Sequence, residues 1–220
     1  MIQDRQAKNP MRDAMDLFDQ QIDRAALNLL PCDGEVYYHA SVLDKAAADD
    51  CYQKLLDEIE WRHDETMMFG RKIVTKRKVA WYADQSFEYR YSGTTKTALP
   101  WTALLRQIKN TAERESGESY NACLLNLYHN GGEGMGWHSD AERELKKHGA
   151  IASLSFGAER KFSFRHKSSK ESLSIRLEHG SLLVMKGETQ THWQHQLPPT
   201  KTVMEPRINL TFRTIVPLGR

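Results

Sequence analysis

The sequence predicts an α+β fold, with N-terminal helices packed outside a C-terminal β-rich core. Helical periodicity is confined to two stretches ahead of Gly117. Beyond Gly117, short strand-like runs follow at about ten-residue intervals with turn signals between them. No internal repeat and no linker interrupts residues 45–216, which read as one unit. Short strands in such a series close into a sandwich, a barrel or a jelly roll. Residues 1–35 read as a flexible arm and 36–220 as a single domain, helix-bearing over 36–120 and β-rich over 121–216.

The arm holds one apolar island, Ala14-Met15-Asp16-Leu17-Phe18. Residues 44–61 place Cys51, Leu55, Leu56 and Ile59 at helical spacing, with Asp44 as N-cap. Phe69 to Tyr91 alternates and is rich in aromatic and β-branched residues, so strands and turns are expected. Pro100 opens a second helix, Trp101 to Ser116, with Leu104, Leu105 and Ile108 on its buried side. The strand-like runs then cover 121–129, 149–157, 160–166, 172–177, 181–186 and 206–216.

Composition narrows the function classes. The chain has 220 residues, 40% of them hydrophobic and 27% charged, enough apolar surface for a core and far from disordered composition. No apolar run approaches the roughly 18 residues that span a bilayer, and the polar N-terminus lacks a signal-peptide core. Cys32, Cys51 and Cys123 are odd in number, widely spaced and expected to be small buried residues in a reducing compartment. A soluble protein, monomeric and cytoplasmic (nuclear if eukaryotic), with no membrane association, is expected. The net charge of +2 hides its distribution. Residues 1–35 carry seven acids against four bases, whereas 69–80 and 160–170 each carry five bases and no acid. Two such clusters suggest a surface that faces a polyanion.

The strongest local feature is Gly136-Trp137-His138-Ser139-Asp140. On extended backbone His138 and Asp140 project to one face, roughly 6–7 Å apart, and can take adjacent sites on one metal. A second histidine from elsewhere would complete the two-His-one-carboxylate triad suited to non-haem Fe(II). Along Arg207-Ile208-Asn209-Leu210-Thr211-Phe212-Arg213 the period of two puts Arg207, Asn209, Thr211 and Arg213 on one side and three apolar residues on the other. A cavity lined by two arginines suits a dicarboxylate, which the planar guanidinium grips bidentately. Asn126 and Tyr128 form another same-face polar pair within an apolar strand.

Together these residues resemble the AlkB family of Fe(II)/2-oxoglutarate-dependent dioxygenases, particularly its nucleic-acid-demethylating members. The matching pieces run in family order over about 55–216: Asn126-Leu127-Tyr128, His138-Ser139-Asp140, Ile151 to Gly157, Phe164-Arg165-His166-Lys167, His179 to Leu183, Trp193-Gln194-His195 and Arg207 to Arg213. The resemblance implies a double-stranded β-helix (jelly roll) core with N-terminal helices and a β-hairpin nucleotide-recognition lid. It implies Fe(II) held by His138, Asp140 and His195. His195 is preferred to His192 because the family ligand stands just before Gln196-Leu197-Pro198. His39, His63, His129, His148, His166 and His179 have no ligand-like context. By the same match Arg207, Asn126 and Tyr128 hold the distal carboxylate of 2-oxoglutarate. Asn209 and Thr211 support that site, and Arg213 pairs with the C1 carboxylate and Asp140.

The activity so implied is oxidative demethylation of N-alkylated bases such as 1-methyladenine and 3-methylcytosine in DNA, releasing succinate, CO2 and formaldehyde. The methyl on a pairing edge is unreachable inside a duplex, so the base must be flipped or unpaired. Tyr89, Tyr91 and Ser92 match the lid, with Tyr91 stacking on the base opposite His138. Glu142 matches a base-reading carboxylate. Phe69 aligns with an intercalating wedge beside Arg71 and Arg77 as phosphate contacts. The loop 168–172 is shorter than in the duplex-specific member, so strand preference stays open. The same chemistry on RNA is the nearest alternative. A catalytically silent nucleic-acid binder would need a damaged metal site, yet all three ligand types and both arginines are present. The island at 14–18 loosely resembles a sliding-clamp-binding peptide.

Overall fold

The computed structural model describes residues 27–68, 71–86, 88–91 and 94–216, without the side chains of 65–68, 71–73, 88–91 and 94–96. A large sheet runs in the order β1 (Glu35–His39), β12 (Ser181–Lys186), β9 (Ile151–Gly157), β14 (Arg207–Arg213), β7 (Ala122–Tyr128), β3 (Arg71–Ala83) and β2 (Arg62–Met68). The short β6 (Leu99–Pro100) adds to β3 in parallel. A smaller sheet runs β11 (Ser172–Leu177), β10 (Arg160–His166), β13 (Trp193–Leu197), β8 (Met135–His138). A separate hairpin joins β4 (Glu88–Tyr91) to β5 (Thr94–Thr97).

Helices cover one face of the large sheet and the small sheet covers the other. Helix α1 (Lys45–Glu58) is capped by the Asp44 carboxylate, which accepts from the Ala47 N–H. Helix α2 (Ala103–Ser116) starts where the Thr102 hydroxyl accepts from the Leu105 N–H. It stops at Gly117, whose φ of 68° only glycine adopts readily. Pro100, expected to open this helix, lies in β6 instead, because the side-chain cap belongs to Thr102.

The two-residue period sorts the large sheet. Ala152, Leu154, Phe156, Leu182, Val184, Ile208, Leu210 and Phe212 form one core with Leu55, Leu104, Leu105 and Ile108 of the helices. Ile151, Leu183 and Met185 point the other way and pack with Phe164, Leu177 and Trp193 of the small sheet. The architecture is a jelly roll, a sandwich whose polar gap lies between the two sheets.

Residues 28–34, expected to belong to a flexible arm, are tied to β1 by hydrogen bonds. The side chain of Asn28 accepts from the N–H groups of Leu30 and Val36 and donates to the Gly34 carbonyl, and Leu30 is buried. Strands β1, β8 and β13 and the short α3 (Thr189–His192) carried no periodic signal because each is at most five residues long. The cysteines also differ from expectation: Cys123 is buried, Cys51 half-buried and Cys32 exposed.

Candidate active site

Strand register brings the two histidines together. β8 pairs antiparallel with β13 so that His138 faces His195, their ring centroids 4.3 Å apart. Asp140 lies two residues beyond the end of β8. The ligand atoms of His138, Asp140 and His195 all lie within 4.8 Å of one another. His192 takes no part: it lies 3.4 Å from Glu188 and stacks on His166.

Each member of the triad is oriented by a partner. The His138 Nδ1 lies 2.8 Å from the Gly136 carbonyl, which can only accept, so Nδ1 carries the proton and Nε2 presents a lone pair. Asp140 Oδ2 accepts from Arg213 Nη2 at 2.7 Å and Nε at 3.2 Å, which leaves Oδ1 toward His138. The Asp140 N–H donates to Gln190 Oε1 at 2.8 Å, and the Ser139 hydroxyl to the Trp193 carbonyl at 2.8 Å. Phe162 stacks on the His195 ring at 5.4 Å.

Electrostatics fit a cation. Burial pushes the His195 pKa down to about 3, so the imidazole is neutral at physiological pH. Burial alone would raise Asp140, but Arg213 and the two histidines bring it to about 2. Two imidazoles and one ionised carboxylate gathered around one point are the donor set of an Fe(II) facial triad.

The adjoining cavity is about 50 Å³ and is lined by Asn126, Tyr128, Ser153, Arg207, Asn209, Thr211 and Arg213. The polar face expected of β14 therefore lines a cavity, while its apolar face enters the core. Arg207 is 2% exposed, donates to the Ser155 hydroxyl at 2.9 Å and sits 5.7 Å from the Tyr128 ring centre. Burial lowers its pKa to about 10, which still leaves it charged at neutral pH. Its Nε and the Asn126 Oδ1 are buried without a hydrogen-bond partner. No carboxylate pairs with Arg207 among the described residues. A buried guanidinium so placed is costly unless an anion joins it, as a carboxylate of 2-oxoglutarate would. Asn209 and Thr211 are satisfied internally: Asn209 donates to the Ser153 hydroxyl and the Leu154 carbonyl, and Thr211 to Asn209.

A second, larger cavity of about 360 Å³ abuts Asp140 and Arg213 and includes Glu142, whose Oε2 is buried without a hydrogen-bond partner. Two basic residues of the expected polyanion surface turn inward. Arg77, expected to contact phosphate, is 7% exposed and pairs with buried Asp64 at 2.6 Å, so its charge is neutralised inside the protein. Arg160 is 2% exposed and donates to the backbone carbonyls of Asn130, Gly131, Glu133 and Pro198. Phe69, Ser92 and the 14–18 peptide lie outside the described residues, as do the side chains of Arg71, Tyr89 and Tyr91.

Sequence reasoning missed Gln190, Ser139, Ser153 and Ser155. All act through single hydrogen bonds across the fold, which leave no local pattern.

The family model described as 2OG-Fe(II) oxygenase superfamily matches residues 35–213. The chain is 41% identical over 183 residues to the human protein named DNA oxidative demethylase ALKBH2, covering 78% of this chain and 70% of that protein. It is 38% identical over 223 residues to the Bos taurus protein of the same name, covering 96% and 79%. The human alpha-ketoglutarate-dependent dioxygenase alkB homolog 3 is 37% identical over 192 residues, covering 83% of this chain and 66% of that protein. Among solved structures, one titled as that of OsALKBH1 superposes with a TM-score of 0.55 at 15% identity, over 81% of this chain and 97% of that one. That last likeness speaks for the fold alone.

Proposed function

The chain belongs to the AlkB family within the 2OG-Fe(II) oxygenase superfamily, and from that membership we propose that it is a DNA oxidative demethylase acting on N-alkylated bases. One observation carries the reading: the His138/Asp140/His195 triad, with Asp140 and His195 buried and His138 half-buried, opens onto a cavity that holds a buried arginine with no acidic partner among the described residues. The relatives named as DNA oxidative demethylases favour DNA over RNA as the substrate.

In this reading His138, Asp140 and His195 hold Fe(II). When bound, Fe(II) with 2-oxoglutarate and O2 would supply the oxidising chemistry for hydroxylation of the N-methyl carbon, the overall products being succinate, CO2, formaldehyde and the repaired base. Neutral His195 offers its lone pair without first losing a proton. Arg213 keeps Asp140 ionised and fixes which oxygen turns to the metal. Arg207, Asn126 and Tyr128 receive the distal carboxylate of 2-oxoglutarate, while Arg213 meets its C1 end. Asn209 and Thr211 stiffen that wall through bonds to Ser153 and to each other. Phe162 and Phe164 pack around His195 and exclude water.

The β4–β5 hairpin carries Tyr89 and Tyr91 and serves as the lid over a flipped base, with Glu142 reading its edge. Phe69 as wedge and Arg71 as phosphate contact complete the nucleic-acid surface. Oligonucleotides bearing 1-methyladenine or 3-methylcytosine, as DNA and as RNA, incubated with Fe(II) and 2-oxoglutarate, test the proposal. Formaldehyde release from the DNA arms is expected. No turnover on any arm refutes it, and turnover on RNA alone reassigns the substrate.

A further inference from the structure

Lys167 follows β10 directly and takes up three consecutive carbonyls of one short helix. Its ammonium donates to the Gln190 and Thr191 carbonyls, each at 2.9 Å, and its backbone N–H to the His192 carbonyl at 2.8 Å. The last four carbonyls of a helix have no partner inside it, so a four-residue helix must find outside partners for all of its own. In α3 the Trp193 N–H meets the Thr189 carbonyl, and Lys167 meets the other three. Burial pushes the Lys167 pKa down, and no acidic side chain counters that shift. The carbonyls are therefore what hold a cation at this place.

Helix α3 bears on the metal triad. Gln190 Oε1 accepts from the Asp140 N–H at 2.8 Å, while its Nε2 turns to the Met185 sulfur at 3.4 Å. Just past the helix, the Trp193 carbonyl accepts from the hydroxyl of Ser139, the residue between His138 and Asp140. The start of α3 is anchored by the buried Thr189, whose hydroxyl accepts from the Glu35 N–H at 2.9 Å and donates to the Lys186 carbonyl at 2.6 Å. Its end rests on Lys167. Asp140, Lys167, Gln190 and Thr191 all line the cavity of about 360 Å³. On that side no packed atoms wedge the helix in place, so hydrogen bonds must fix it.

We propose that Lys167 is a positioning residue for the metal centre: it fixes the end of α3, α3 fixes Gln190, and Gln190 fixes the backbone of Asp140. In this role Lys167 touches neither metal nor substrate. The inference rests on the triad as the Fe(II) site and is independent of which base is demethylated.

Full-length K167M and K167R test it. Methionine keeps the stem and removes the donors, whereas arginine supplies donors for both carbonyls. In the metal-free protein the Asp140 amide should exchange its hydrogen about tenfold faster in K167M and near the wild-type rate in K167R, with the Leu154 amide of the core unchanged. Cobalt(II) affinity of the chelator-treated protein should fall about five- to tenfold in K167M and recover in K167R. Because the effect passes through Gln190, adding K167M to Q190M should cost less than about twofold more, whereas independent effects would multiply. An Asp140 amide rate or a cobalt affinity within about twofold of wild type in K167M overturns the proposal. So does equal acceleration of the Leu154 amide, the mark of general loosening, and so do multiplied losses in the double variant. Should K167M not fold, K167Q, which keeps polarity without the charge, is read in the same way. None of these readouts uses turnover. A wild type that releases no formaldehyde would count against the demethylase reading, while the amide rates and cobalt affinities still decide this one.

Discussion

Replacing Arg160 with methionine tests how the strands of the triad are held in place. The guanidinium reaches the carbonyls of Glu133 and Pro198 at 2.9 Å, Gly131 at 3.2 Å and Asn130 at 3.4 Å. Those carbonyls belong to the loop entering β8 and the turn leaving β13, the strands that present His138 and His195. A hydrogen bond to a charged donor contributes about 1.5–3 kcal/mol, so the two shortest bonds together amount to about 3–6 kcal/mol. Methionine fills most of the stem volume and removes the desolvation cost of a buried cation, which offsets part of that loss. The carbonyls remain without donors, so their penalty prevails, and a net loss of about 2–4 kcal/mol is expected. For a chain of this size each kcal/mol lowers the melting midpoint by about 2–4 °C, which gives a drop of about 5–15 °C in a calorimetric scan. Cobalt(II) affinity of the triad should fall in parallel, and R160K should recover part of both losses. A midpoint within about 2 °C of wild type, the shift expected of less than 1 kcal/mol, refutes the account.

Three further outcomes are expected. R207M should weaken 2-oxoglutarate binding about 10- to 150-fold, the equivalent of one charge-assisted pair, with a circular dichroism spectrum like that of the wild type; an unchanged KM for 2-oxoglutarate counts against the assignment. Q190M removes the acceptor of the Asp140 N–H and should lower metal affinity about tenfold, read by cobalt(II) titration, while the melting midpoint moves by only a few degrees. The metal-free protein should lose stability as pH falls. Buried His195 stays neutral down to about pH 3. The unfolded chain binds that proton near pH 6.5, so stability is full above this value and declines below it by at most about 1.4 kcal/mol per pH unit. Denaturant titrations between pH 7 and 4.5 should show this slope in the wild type and a shallower one in H195L. Equal slopes would exclude His195 as its source.

The helices and long strands were legible because each repeats its pattern over enough residues to be counted. Asp44 capping α1 and the alternation of Arg207 to Arg213 are the clearest cases, one a side-chain cap and the other a strict period of two. The triad became legible only through family spacing, since an HxD pair alone does not say which histidine completes it. What stayed hidden was long-range. That Arg77 and Arg160 would turn inward is invisible in a basic run, because charge counts do not reveal an acid thirteen residues away or a ring of carbonyls. Gln190 sits in a four-residue helix without periodicity, and only the folded chain brings it to Asp140.

Strand β14 is buried on both sides, with Ile208, Leu210 and Phe212 in the core and Arg207, Asn209, Thr211 and Arg213 at the cavity. A slip of one residue against β7 or β9 would drive two cations into the core and strip the cavity of its polar wall. Folding thereby proofreads the catalyst: chains that miss the register never become native, and chains that reach it carry a correctly set cosubstrate wall. Single-residue insertions or deletions between 207 and 213 should therefore appear as insoluble protein. Soluble but inactive enzyme from such changes is not expected.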